Sequence, residues 1–165
     1  MTAGYVHIDQ AEGYAVCSSK DGVSFQANGF DVNVSADGWG VGAISQPGGA
    51  GTFPLVVTRN TLDGRFQLKQ TFTPNRAERG LDIRMAVKNL SGVTLDIRVM
   101  RSADVDISDN VMNWNPFGGG PQFARGCDAG INAGGFGDSV LGYRKNLWGL
   151  KPGQTQTFTP RYRRF

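Results

Sequence analysis

A chain of 165 residues with a formal net charge of +3 has the length of one domain, and it can bury a sizeable core without a metal or disulfide staple. Hydrophobic residues make up 39% and charged residues 19%; 24 glycines, with Ser, Thr, Asn and Gln, fill the difference, which suits short strands and many turns. No apolar run approaches a membrane-spanning helix, and so small a charge, carried mostly by arginine, argues poorly for a nucleic-acid partner.

Tyr5 to Ile8 and Tyr14 to Ser18 predict two short strands, the second ended by Lys20-Asp21-Gly22. Asn28-Gly29 is a turn signal. Phe30, Val32 and Val34 then alternate with polar residues as in a half-buried strand, and Ala36-Asp37-Gly38 turns into Trp39-Gly40-Val41. Residues 45–52 predict an exposed loop. Phe53 to Thr58 predicts a short apolar strand, whose Pro54 suits a strand start or a sheet edge. Arg65 to Phe72 predicts a strand with Phe66, Leu68 and Phe72 on one face.

The strongest pattern runs from Leu81 to Ile107. Leu81, Ile83, Met85 and Val87 alternate with polar or small residues, Asn89-Leu90-Ser91-Gly92 is turn chemistry, and Val93, Leu95, Ile97 and Val99 resume the period of two. The stretch predicts a long hairpin. Its parity puts Arg101 on the core face, so either a bulge resets the register or Arg101 is buried against a carboxylate such as Asp104. From 108 to 138 the pattern stops, and eight glycines and two prolines surround Trp114, Phe117, Phe123 and Phe136. A loop this long in a compact domain is often functional. Val140 to Trp148 and Gln154 to Tyr162 predict the last strands, joined by a turn at Leu150-Lys151-Pro152-Gly153. Nine to eleven strands, no amphipathic helix and Gly/Pro turns predict an all-β chain, an antiparallel two-sheet β-sandwich with one long Gly-rich loop, forming a single domain over 1–165.

At Asp37-Gly38-Trp39-Gly40-Val41, and again from Lys88 to Ile107, the chain resembles a group of uncharacterised secreted bacterial β-sandwich proteins. Their Gly-Trp-Gly-Val segment is matched at 38–41. Their Asn-x-Ser-Gly is matched by Asn89, Ser91 and Gly92, and their Arg-Val-Met-Asp-x-Asp-Ile segment by Arg98, Val99, Met100, Asp104, Asp106 and Ile107. Arg101-Ser102-Ala103 interrupts the last segment. The resemblance implies a secreted or cell-surface β-sandwich and carries no activity with it. No basic–apolar–small leader stands at Met1-Thr2-Ala3-Gly4, so the chain reads either as intracellular or as a mature chain whose leader has been replaced.

Several residues could carry chemistry. Asp104 and Asp106 are two apart, and Asp109, Asn110 and Asn113 follow, so several oxygen ligands lie within ten residues, as Ca²⁺ requires. The alternative is a solvated strand end whose carboxylates cap turns. A glycosidase pair fits poorly in a chain whose only glutamates are Glu12 and Glu78. Cys17 and Cys127 either bridge, closing a long loop and stabilising by about 4–5 kcal/mol, or stay free and buried. His7 is the only histidine, which argues against a zinc site, and no Gly-x-Ser-x-Gly elbow or dinucleotide fingerprint is present. Asn113, Trp114, Asn115 and Phe117 place an indole beside amides, a combination that can stack a sugar ring and bond its hydroxyls, although a large aromatic can equally plug its own loop. Trp39 and Trp148 read as core or strand-end packing. Arg161, Arg163 and Arg164 interleave with Tyr162 and Phe165, and read as a solvated basic strand end before a nucleic-acid site.

The expectation is therefore a non-enzymatic, extracellular module that binds a glycan or other surface ligand through the 108–138 loop, with Asp104, Asp106 and Asp109 setting that loop through Ca²⁺. The first alternative is an assembly subunit that self-associates through edge strands and the Gly-rich loop. A glycan-active hydrolase comes third.

Overall fold

The computed structural model describes residues 7–18, 24–30, 33–78, 80–106, 114–115, 135–136 and 140–163. Every regular element among them is a strand, and the chain is an all-β protein of the antiparallel two-sheet sandwich class. In order the strands are β1 (His7–Ser18), β2 (Ser24–Phe30), β3 (Asn33–Asp37), β4 (Ala43–Ser45), β5 (Leu55–Asn60), β6 (Phe66–Asn75) and β7 (Gly80–Asn89). They continue with β8 (Leu95–Asp106), β9 (Trp114–Asn115), β10 (Gly135–Phe136), β11 (Val140–Leu150), β12 (Thr155–Phe158) and β13 (Arg161–Arg163). One sheet has the order β11-β8-β1-β2-β3. The other runs β12-β7-β6-β5-β4, with β13 also paired to β7. No helix among the described residues is long and apolar enough to cross a membrane.

The chain divides into two compact units, one of residues 1–37 and 98–145, the other of 38–97 and 146–165. In the first unit β1 pairs with β2 from Gly13↔Asn28 to Cys17↔Ser24, and β2 pairs with β3 from Gln26↔Asp37 to Phe30↔Asn33. Asn28-Gly29 therefore lies inside this ladder, and the chain reverses between Phe30 and Asn33, not at the predicted turn. The two predicted N-terminal strands are one strand, β1. Tyr14 to Ser18 are buried without alternation, as are Val99, Met100 and Arg101. Arg101 is fully buried, with 0% of its surface exposed, and since Met100 beside it is buried too, burial does not mark which side of the strand it takes.

The second unit shows why an apolar period of two identifies a strand but not its partner. Ile83, Met85 and Val87 of β7 are buried, and so are Leu95 and Ile97 at the start of β8, as the alternation predicts. The two strands do not form the predicted hairpin. β7 is flanked by β6 on one edge and by β12 and β13 on the other, so neither edge is open to β8, which belongs to the other sheet. The corner between them is built by Asn89. Its buried side-chain amide donates to the carbonyls of Val93 at 2.7 Å and Leu150 at 2.8 Å, and its Oδ1 accepts from the Ser91 N–H and hydroxyl. The turn at 150–154 forms as predicted: Gly153 has φ 72°, and the Gln154 N–H donates to the Lys151 carbonyl at 3.0 Å. Phe66, Leu68, Phe158, Leu147, Leu150 and Trp39 are also buried in this unit. Trp148, expected as packing, is 57% exposed. Leu147 and Leu150, three apart along β11, are both buried, so the period of two breaks at Gly149, whose φ is 63°, and Trp148 stands exposed between them.

Candidate functional site

The sandwich's second unit carries an open cleft of about 600 Å³ where three strand ends meet. One wall is Gly51, Thr52 and Phe53; the other is Pro74, Asn75, Arg76 and Asp82. The ladders explain the meeting. Leu55, the first residue of β5, pairs with Phe72, so the chain just before it runs beside the end of β6. Thr73 pairs with Asp82 and Asn75 with Gly80, which brings the start of β7 to the same place. Arg161 of β13 pairs with Asp82 from the other side.

The loop wall is held by its own hydrogen bonds. The Gln46 side chain donates to the Thr52 carbonyl at 2.9 Å and accepts from the Gly51 N–H at 3.1 Å, and the Thr52 hydroxyl donates to the Gly49 carbonyl at 2.7 Å. Glycine is required here: a Cβ at Gly48 would stand 2.7 Å from the Thr52 hydroxyl, and Gly51 has φ 75°. The segment is exposed, yet closed on itself, which presents Phe53 in a fixed place. Its ring is 56% exposed. On the opposite wall the Asn75 side chain receives the Glu78 N–H at 3.2 Å and reaches Asp82 at 3.5 Å, and Arg161 approaches the same carboxylate at 4.0 Å. Arg76 is exposed, and among the described residues its guanidinium makes no hydrogen bond or ion pair. The cleft thus offers an apolar ring, a carboxylate, an amide and an uncommitted fork of N–H donors.

The residues expected to form a site are distributed otherwise. Asp104 and Asp106 are near and at the end of β8, while Asp109 lies outside the described residues. Trp114 and Asn115 are the two residues of β9, paired with β10 through Phe136↔Trp114 and Gly135↔Asn115, so the long Gly-rich segment contains a short two-stranded ribbon. Asn113 and Phe117 lie outside the described residues. Cys17 is buried and disulfide-bonded; Cys127, the only other cysteine in the sequence, lies outside the described residues. The cleft is not legible in the sequence because its walls are 21 or more residues apart and meet only through the β5–β6 register. The available signal was an aromatic–proline step directly after a Gly-rich loop.

Fold and cleft together define an all-β sandwich protein with a concave, mixed polar and aromatic surface in its second unit. No protein-family model, curated protein or solved structure matches the chain.

Proposed function

We propose that this protein is a non-enzymatic extracellular module that binds a glycan, with the cleft between Phe53 and Asp82 as its contact surface. The observation that carries this reading is the exposed Phe53 ring set beside Asn75, Arg76 and Asp82. A pyranose has C–H faces that pack on an aromatic ring and hydroxyls that pair with forked donors and carboxylates. Ligand sites of this kind are concave, with a few polar groups fixing orientation. Among the described residues one carboxylate, Asp82, lines the cleft, whereas a glycosidase uses two. The bonded state of Cys17 supports an oxidising compartment. In this reading Trp114, Asn115 and their neighbours in the 108–138 segment are a second contact, set by Asp104, Asp106 and Asp109 with Ca²⁺.

The test is isothermal titration calorimetry against a panel of neutral and acidic oligosaccharides, with the wild-type protein, Phe53→Ala and Arg76→Ala. Binding should weaken by at least about tenfold in Phe53→Ala, equivalent to about 1.4 kcal/mol, with the melting temperature unchanged because the ring is exposed. Loss in Arg76→Ala confined to acidic sugars would identify a carboxylate-bearing ligand. Absence of heat across the panel, or equal binding by Phe53→Ala, would sink the reading.

A second reading, self-association, is favoured by a different observation: β4 ends its sheet with all three side chains exposed.

A further inference from the structure

We infer that the outward face of β6 and β7 is a track for an anionic polysaccharide, a chain of sugars bearing carboxylate or sulfate groups, laid against Lys69, Arg84 and Lys88. This rests on the proposed glycan reading, and it names the ligand's charge and the surface that reads it. The register fixes which side chains share the face. Thr71 pairs with Arg84, Lys69 with Ala86 and Gln67 with Lys88. The alternate residues, Leu68 and Gln70 of β6 and Ile83, Met85 and Val87 of β7, are buried, so the first set points outward. Directly opposed side chains stand about 5 Å apart, and diagonal neighbours about 7–8 Å. Lys69, opposite Ala86, is diagonal to both Arg84 and Lys88, so three cations ring one small side chain.

Charge says what covers this face. Protein surfaces ordinarily intersperse both signs. Here Lys69 and Arg84 are exposed and Lys88 half-buried, and none of the three makes a hydrogen bond or ion pair among the described residues. The one carboxylate on the outward face of these two strands, Asp82, stands at its end, where Asn75 and Arg161 already face it. Clustered like charges repel, and a polyanion that sets its own charges among them removes that repulsion. Arg84 and Lys88 are four residues apart along β7, about 13 Å at the rise of a strand, which suits acid groups repeated along an extended chain better than one small anion. The track also runs into the cleft, since Asp82 belongs to both and the uncommitted Arg76 of the cleft wall continues the row of cations. The neighbours favour sugar over nucleic acid. Thr155 and Thr157 of β12 pair with Lys88 and Ala86, so hydroxyls that can bond a sugar's own hydroxyls flank the cations. Single-stranded nucleic acid needs aromatic platforms for its bases, and none of the outward residues of β6, β7 and β12 is aromatic.

Biolayer interferometry on immobilised heparin and polygalacturonate, which separate sulfate from carboxylate, reads the outcome, with neutral dextran and a single-stranded oligonucleotide as comparators. The wild-type protein should bind at least one of the two polyanions and not dextran, and binding should weaken steeply as salt rises, because counterions are released on contact. Lys69→Glu and Arg84→Glu should each weaken it by at least about tenfold, with an unchanged circular-dichroism spectrum because both side chains are exposed. Lys145→Glu makes the same charge change at an exposed lysine of the first unit, and should alter binding by less than about twofold. Equal weakening by Lys145→Glu would report net charge alone and overturn the track. Tighter binding of the oligonucleotide than of either polysaccharide would make nucleic acid the partner and overturn the polysaccharide. Absence of binding to both polyanions overturns the track, and neutral oligosaccharides that still bind through Phe53 would keep the glycan reading standing. Loss in Lys69→Glu without loss in Phe53→Ala would support the track and overturn the cleft as the contact.

Discussion

Asn89 shows how much one side chain can decide. It is fully buried, and its amide spends both ends on backbone: donors to Val93 and Leu150, acceptor to Ser91. The residue's own backbone is held as well, by Gln154 and Gly153. Asn89→Ala would leave the buried Leu150 carbonyl without this donor, while the exposed Val93 carbonyl keeps the Ser91 hydroxyl, so urea unfolding should show a loss of about 1–3 kcal/mol. Asn89→Asp keeps the shape but supplies no N–H, and should be at least as harmful at neutral pH. If Asn89→Asp were neutral, the donation to Val93 and Leu150 would not be what holds the corner. The sequence marked Asn89 as turn chemistry, and that much was legible. That the turn would carry the chain between sheets was not, because the Leu150 carbonyl lies 61 residues away. Trp148 shows a related limit: Leu147 and Leu150 are three apart yet both buried, so the alternation of β11 breaks at Gly149, with φ 63°, and parity alone does not place the indole.

Among the elements, strand existence was legible and strand partnership was not. The period of two in β6, β7 and the start of β8 reports one buried face each. It is the same whether two strands pair side by side or lie in different sheets. What excludes a β7–β8 hairpin is that β12 and β13 occupy the free edge of β7, and they come from the far end of the chain. Turns with a stereochemical demand were more readable. Lys151-Pro152-Gly153-Gln154 supplies proline where φ is fixed near −65° and glycine where φ is positive, here 72°. Gly153→Ala should cost about 1–2 kcal/mol by chemical denaturation, since a side chain in the left-handed region clashes with its own backbone. A space argument predicts no such loss, because nothing stands within 4 Å of the added Cβ. An unchanged denaturation midpoint would show that the turn relaxes without cost. Asn28-Gly29 shows the limit of such signals: the same dipeptide that favours a turn sits within the β2–β3 ladder, where the register with Ser35 and Val34 prevails.

For the molecule as a whole, the disulfide at Cys17 ties stability to compartment. The sequence offers Cys127 as the only other cysteine, so the bond would close a loop of about 110 residues, from the end of β1 across β2 to β9. Closing a loop that long removes about 4–5 kcal/mol of chain entropy from the unfolded state. For a chain of this length, that corresponds to a fall in melting temperature on the order of 10 °C when the bond is absent. Cys17 is buried, so dithiothreitol should leave the folded protein intact at room temperature and act only once the chain opens. The reduced protein, refolded under dithiothreitol, should then melt lower, and Cys17→Ser should melt at the same reduced temperature with or without reductant. Equal melting of oxidised and reduced protein would show that the bond does not constrain the unfolded chain, and the stability argument for an oxidising compartment would fall with it. A large fall would mean that the second unit's strands β4 to β7, which lie wholly within the closed loop, depend on a covalent bond made outside their own sheet. Under the proposed function, ligand binding at the Phe53–Asp82 cleft should then weaken after reduction as the temperature approaches the lowered midpoint, and recover on reoxidation.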